Sequence, residues 1–183
     1  MKKLRWPLFF AAIITAMIVL LTGCNSFQID GLDKFNESDC CFGLNDMLLP
    51  DNREFLSNYP YESGDYHYWR NNYGKAQAKT YVQLTYSEEV YQQAKFACLK
   101  HFTISEEQYL YNTFVFYGVN ISGGDTALDA AFPGIRLLGY SDDTCSLVFL
   151  GYLDETGKKS QIDSSNFVLF LNNHFGEWIG PSP

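Results

Sequence analysis

Residues Ala78–His101 read AKTYVQLTYSEEVYQQAKFACLKH, and the sequence changes period in the middle of this stretch. Up to Tyr86 the pattern alternates. Val82, Leu84 and Tyr86 fall on one side of an extended chain, and Tyr81, Gln83 and Thr85 on the other, which predicts a strand. Ser87 then stands where a helix N-cap belongs, with Glu88 and Glu89 in the first turn, where the helix dipole favours anions. From there a helix is expected over 88–101. At 100° per residue, Val90, Tyr91, Ala94, Ala97, Cys98 and His101 gather on one face, with Glu88, Gln92 and Lys95 opposite. Phe96 and Leu99 fall outside that stripe.

The later sequence predicts about four more strands. YLYNTFVFYGVNI reads as one strand, with Thr113, Val115, Tyr117 and Val119 on one face and Phe114 and Phe116 on the other. GIRLLGYSD and CSLVFLGYL flank the turn SDDT and read as a hairpin. DETGKKS reads as a second turn, and NFVLFLNNHF as the last strand. The expected fold class is α+β. It comprises a mostly antiparallel sheet, a meander of about four strands after a β-strand and one amphipathic helix, with the helix packed on one face. The strands carry apolar residues on both faces, so the second face also needs cover, and the N-terminal aromatic segment is the candidate.

That segment runs from Tyr59 to Tyr73 and is punctuated by Pro60, Gly64 and Gly74. Before it, Asp51–Leu56 is compatible with one helical turn after Pro50. Within it, DYHYW alternates, so Tyr66 and Tyr68 share one face of a strand while His67 and Trp69 share the other. Tyr66, Tyr68, Trp69 and Tyr73 form the candidate binding patch. Exposed rings stack on sugars or on a protein partner, whereas buried rings fill the core of a sheet.

The chain begins MKKLR, and Pro7–Leu21 then carries no charge. A basic start followed by an apolar run and small residues before a cut defines a secretory signal. The run ends in LTGC. Leu21, Thr22, Gly23 and Cys24 resemble the lipobox of bacterial lipoproteins at all four positions. The resemblance covers the first 24 residues. It implies that a peptidase cuts before Cys24 and that the Cys24 thiol carries a diacylglyceryl group. Gly23 and Thr22 would leave room at the scissile bond, and Leu21 would sit in the membrane phase. Two acyl chains hold a protein stably where one does not. The rival readings are an uncleaved membrane helix, for which the 17 residues from Pro7 to Gly23 are short, and an ordinary cleaved secretory signal. Asn25 stands after the cysteine, where an Asp in Gram-negative members favours inner-membrane retention.

The expected organisation is a signal peptide over 1–23, a lipid-anchored tether over 24–45 and one domain over 46–183. About twenty coil residues would span roughly 25 Å. Of 13 Lys and Arg, three lie in the leader, leaving ten against 21 Asp and Glu and a net charge of −11. Such a balance argues against nucleic acid, whose phosphates call for clustered Lys and Arg.

Four cysteines remain: Cys40, Cys41, Cys98 and Cys145. An even number in an exported chain permits two disulfides, joining the adjacent Cys40 and Cys41 to Cys98 and Cys145 in either order. The alternative is four free thiols. No pair has zinc spacing, so no metal or other cofactor is expected. Cys98 and His101 are three apart on the expected helix, but nothing orients them as a nucleophile pair, and a packed helix end is the simpler reading. Asp125 and Asp129 in SGGDTALDA read as a flexible loop, and Asp142 and Asp143 as a turn. No catalytic residue is assigned, and the enzyme question leans towards none. The expected function is an extracytoplasmic lipoprotein on the cell membrane, or on the outer membrane of a Gram-negative envelope, that binds a protein or envelope component. The alternative is a small envelope hydrolase or a glycan-binding module using Tyr66, Tyr68 and Trp69.

Overall fold

A computed structural model describes residues 26–35, 48–50, 53–71, 77–121, 134–154 and 165–180. Strand β1 (Ser26–Asp30) leads into a 3-10 turn over Leu32–Lys34. Helix α1 (Arg53–Asn58), β2 (Ser63–Asn71), β3 (Gln77–Thr85) and α2 (Glu88–His101) follow. Next come β4 (Phe102–Tyr111), β5 (Phe114–Ile121), β6 (Gly134–Ser141) and β7 (Ser146–Asp154), and α3 (Phe167–Ile179) comes last.

Among the described residues, all seven strands form one sheet in the order β1-β2-β3-β7-β6-β5-β4, and each pair is antiparallel. Helix α2 carries the chain from β3 to the far edge, and a meander then brings it back. The return strand β7 pairs with β3 over nine residues, from Gln77 opposite Asp154 to Thr85 opposite Ser146. This central ladder joins the two halves of the sheet.

The strand and helix of residues 78–101 form as the period requires. Val82, Leu84 and Tyr86 lie in the core under α2, together with Tyr91, Ala94 and Cys98 from its stripe. Tyr81 lies in the core on the opposite face. Phe96, off the stripe, is exposed. On the α2 face, α1 and the 3-10 turn add Phe55 and Phe35, whose rings meet Phe149 and Tyr66 edge-on.

Four features differ from the sequence expectation. The strand expected over NFVLFLNNHF is helix α3. Its run FVLFL is continuous, so alternation and helical period cannot be told apart there. The residues buried are Phe167, Phe170, Leu171 and Phe175, spaced as a helix face, while Val168 and Leu169 stay exposed. Second, α3 covers the face of the sheet away from α2, packing on Tyr81, Val148, Leu150 and Tyr152. The two helices therefore sit on opposite faces, and the aromatic segment is a strand of the sheet rather than its cover.

Third, YLYNTFVFYGVNI is two strands. Asn112 takes φ 52 in the turn between β4 and β5, a left-handed conformation that Asn tolerates better than most residues. β4 begins directly after α2, and its exposed SEEQ segment, with a register irregularity between Ile104 and Gln108, hides its alternation. Fourth, part of the expected tether is structured. β1 pairs with β2 from Ser26 opposite Asn71 to Asp30 opposite His67. Gly31, at φ 99, then turns the chain so that its N–H donates to the Tyr66 carbonyl at 2.8 Å.

Candidate functional site

The alternation of β2 puts Asp65, His67 and Trp69 on the α3 side of the sheet and Tyr66 and Tyr68 on the α2 side. Register brings Asp30 of β1 and Tyr81 of β3 level with His67. The C-terminal turn of α3 lays Trp178 over them. The His67 ring stacks on the Trp178 indole with centroids 5.2 Å apart and planes 14° apart, and it lies 5.7 Å from the Tyr81 ring.

His67 is held between two carboxylates. Its Nδ1 lies 2.5 Å from Asp30 Oδ1, and its Nε2 lies 2.9 Å from Asp65 Oδ2. The hydrogen bond from His67 holds the Asp30 carboxyl below the usual range, and Gln28 Nε2 adds bonds to both Asp30 oxygens at 3.1 and 3.0 Å.

A second contact clamps α3 to the sheet. Lys79 Nζ donates to the His174 carbonyl at 2.8 Å and pairs with Glu177. The same ammonium lies 4.2 Å from the Trp178 ring centroid and 5.6 Å from that of Trp69. Beside this cluster is a cleft of about 250 Å³ lined by Ser63, Gly64, Asp65, Tyr81, Gln83, Thr85 and Trp178. Tyr81 donates its hydroxyl to Gln83 Oε1 at 2.6 Å, which leaves the Gln83 amide nitrogen as the donor end of that side chain. A larger and more open cleft, about 630 Å³, lies where the β4 irregularity faces the start of β6, lined by Ser105, Glu107, Gly118 and Arg136 among others.

The expected patch is taken apart by this geometry. Tyr66 and Tyr68 are fully buried in the α2-side core, because their face of β2 is the one that α2 and the 3-10 turn cover. They cannot stack on a ligand. Trp69 is half-buried on the other side, and Tyr73 lies outside the described residues. What the structure assembles instead is His67, Asp30, Asp65 and Trp178. The alternation in DYHYW already put Asp65 on the His67 face. Asp30 and Trp178 enter through register and through a helix that the sequence pattern concealed.

The remaining expectations fall differently. Leu21, Thr22, Gly23, Cys24, Cys40, Cys41, Asp125 and Asp129 lie outside the described residues. Cys98 is a free, fully buried thiol, and burial pushes its pKa well up, which leaves it a packing residue rather than a nucleophile. Cys145 is a free thiol, half-buried, in the β6–β7 turn. The expected pairing with Cys40 and Cys41 concerns residues outside those described. Asp142 and Asp143 do lie in that turn. Among the described residues there is no group of three His, Cys, Asp or Glu placed to hold a metal, and no helix long and apolar enough to cross a membrane.

Comparison of the chain with family models, with curated proteins and with solved structures finds no match.

Proposed function

We propose that the protein is an extracytoplasmic lipoprotein, anchored to the cell membrane through lipid on Cys24, that binds a protein or envelope component and is not an enzyme. In a Gram-negative envelope the membrane would be the inner or the outer one. The observation that carries this reading is the box Leu21-Thr22-Gly23-Cys24 at the end of an uncharged run that follows MKKLR. Two further observations support it. The acidic balance of the chain disfavours nucleic acid. The imidazole best placed for chemistry, His67, has both nitrogens engaged by carboxylates, so neither is free to take a proton from a substrate.

The test is the Cys24→Ala variant in the native host. Expected outcomes are loss from the membrane fraction and failure of the wild-type protein's N-terminal mass increment. An unchanged membrane fraction together with an unchanged N-terminus would sink the proposal. Crosslinking in intact cells then identifies the bound component. If nothing crosslinks and the purified domain binds nothing, the binding role fails.

A second reading is favoured by one observation, the convergence of Asp65, Gln83, Tyr81 and the Trp178 indole on the 250 Å³ cleft. Hydrogen-bonding groups beside an aromatic wall suit a hydroxylated ligand such as a glycan unit, and an envelope hydrolase would work at the same place. Titration with wall oligosaccharides, followed by the fluorescence of Trp178, decides it. No response up to millimolar ligand ends this reading.

A further inference from the structure

We infer that the end of the sheet made by the start of β1, the end of β2 and the start of β3 lies against the lipid surface, with the Phe27 ring and the Arg70 guanidinium at the headgroups. The inference rests on the lipid anchoring of Cys24 proposed above, and it adds an orientation and a contact surface.

Asn25 alone separates Cys24 from Ser26, the first residue of β1. Two residues of fully extended chain reach about 7 Å at most. The headgroup layer on each side of a bilayer is roughly 5 to 8 Å thick. A diacylated Cys24 therefore holds Ser26 within about one headgroup layer of the hydrocarbon. The sheet is attached to its anchor almost directly. Register brings two more strands to the same level, since Ser26 is opposite Asn71 and Asn71 is opposite Gln77.

The chemistry of that end matches a lipid surface. Phe27, on the edge strand β1, is 41% exposed. Arg70, its partner in register, places its guanidinium carbon 5.2 Å from the Phe27 ring centroid. An apolar ring beside a cation suits the boundary between acyl chains and phosphates. The stretch from Arg70 to Lys79, RNNYGKAQAK, holds three basic residues and no acidic one, in a chain whose net charge from Cys24 onward is −11. Lys79 is turned onto α3, which leaves Arg70 as the described cation at this end. The carboxylates of Asp30 and Asp65 lie towards the other ends of β1 and β2, away from an anionic surface, while Asp154, opposite Gln77, stands at this end three strands along from Ser26. β2 rises from Arg70 to Ser63 by roughly 20 to 25 Å at strand spacing. The cleft bordered by Ser63 and Asp65 therefore opens on the side away from the bilayer, towards whatever the envelope presents.

The experiment uses full-length lipidated protein in vesicles of phosphatidylglycerol and phosphatidylcholine, after mass spectrometry of its N-terminus. Phe27→Trp and Tyr61→Trp serve as single reporters in a Trp69→Phe, Trp178→Phe background, Tyr61 being an exposed ring beyond the opposite end of β2. Brominated lipid is expected to quench the reporter at position 27 at least about twofold and leave that at 61 unchanged. In case the background folds poorly, hydrogen exchange of the unaltered protein is compared on vesicles before and after enzymatic removal of the ester-linked acyl chains. Exchange at residues 26–28 and 69–71 is expected to be several-fold slower on the membrane, and at 61–64 the same. Equal quenching at both positions, or equal protection at both ends, overturns the orientation. So does protection confined to 61–64. Absence of lipid on Cys24 instead overturns the anchoring reading on which the orientation depends.

Discussion

The Tyr91 hydroxyl, on α2, donates to an Asp142 carboxylate oxygen 2.6 Å away, in the turn between β6 and β7. Lys95, one helical turn on, donates to the same oxygen at 2.6 Å, and its ammonium sits 3.7 Å from the Tyr140 ring centroid. Asp142, which the sequence presents with Asp143 as a plain turn, thus supplies the fastening between the helix and the distal hairpin. Burial, followed by this hydrogen bond, raises the Tyr91 pKa far above the phenol range, so the donor keeps its proton at any physiological pH.

Removing that donor tests the fastening. Tyr91→Phe is expected to lower unfolding free energy by about 0.5 to 1.5 kcal/mol, the range of an ordinary hydrogen bond rather than of one to a buried charge, because Asp142 is largely exposed. Urea denaturation measures it. A double-mutant cycle with Asp142→Ala should show a positive coupling energy. Additive single effects would mean that the two side chains are merely adjacent.

Acid should loosen the fold through two carboxylates. His67 depresses the Asp30 pKa chiefly by its hydrogen bond, and Lys95, then Tyr91, do the same for Asp142. With folded values below the unfolded value of about 4, their contribution is present above that pH and is lost as pH falls through the depressed values. Both sites are solvent-accessible, so screening keeps each contribution small. The urea midpoint of the wild type is expected to drop more between pH 6 and pH 3 than that of Asp30→Asn/Asp142→Asn. Parallel curves would count against the assignment.

The C-terminal helix predicts a contrast between neighbours. Leu171→Ala should cost roughly 2 to 5 kcal/mol, since Leu171 is fully buried. Leu169→Ala should stay within about 0.5 kcal/mol, since Leu169 is 62% exposed. In a strand these two residues would share a face and respond alike. Comparable losses at both positions would therefore argue against the helix.

How much of this was legible follows from what kind of signal each element sends. The residues from Ala78 to His101 announce themselves because two different periods adjoin, and both the faces of β3 and the bounds of α2 agree with the structure. The β6–β7 hairpin is readable for a similar reason, two apolar runs around SDDT. Helix α3 is hidden because five apolar residues in succession satisfy either period, and only the sheet face awaiting cover decides between them. β4 is hidden because its exposed central residues carry no alternation. The site is half readable. His67 and Trp69 are placed on their common face by β2 itself, whereas Asp30 and Trp178 reach His67 through register and through α3, neither of which is visible locally. Tyr66 and Tyr68 could be read as a patch only because a strand does not state which of its faces is covered.

The two described cysteines should differ sharply in reduced protein. Cys145, half-buried in a turn at φ 48, is expected to react readily with a maleimide. Cys98, fully buried with its thiol held protonated, should react roughly a hundredfold more slowly or worse, at the rate of unfolding-type openings. Peptide mass spectrometry reads each site separately. Fast labelling of Cys98 in folded protein would place it outside the core.

The β3–β7 ladder has a consequence for a chain that is synthesised N-terminus first. β1, β2 and β3 emerge early and can pair among themselves, but the strand that completes β3 ends at Asp154. Until then β3 presents an unpaired edge, with Tyr81 and Val82 on its two faces awaiting partners. Such an edge is a template for pairing with another chain. Because its contacts span so much sequence, closure is also a slow event. The half-made molecule is therefore its most aggregation-prone form, and that interval, rather than the finished sheet, is where a chaperone would have something to hold.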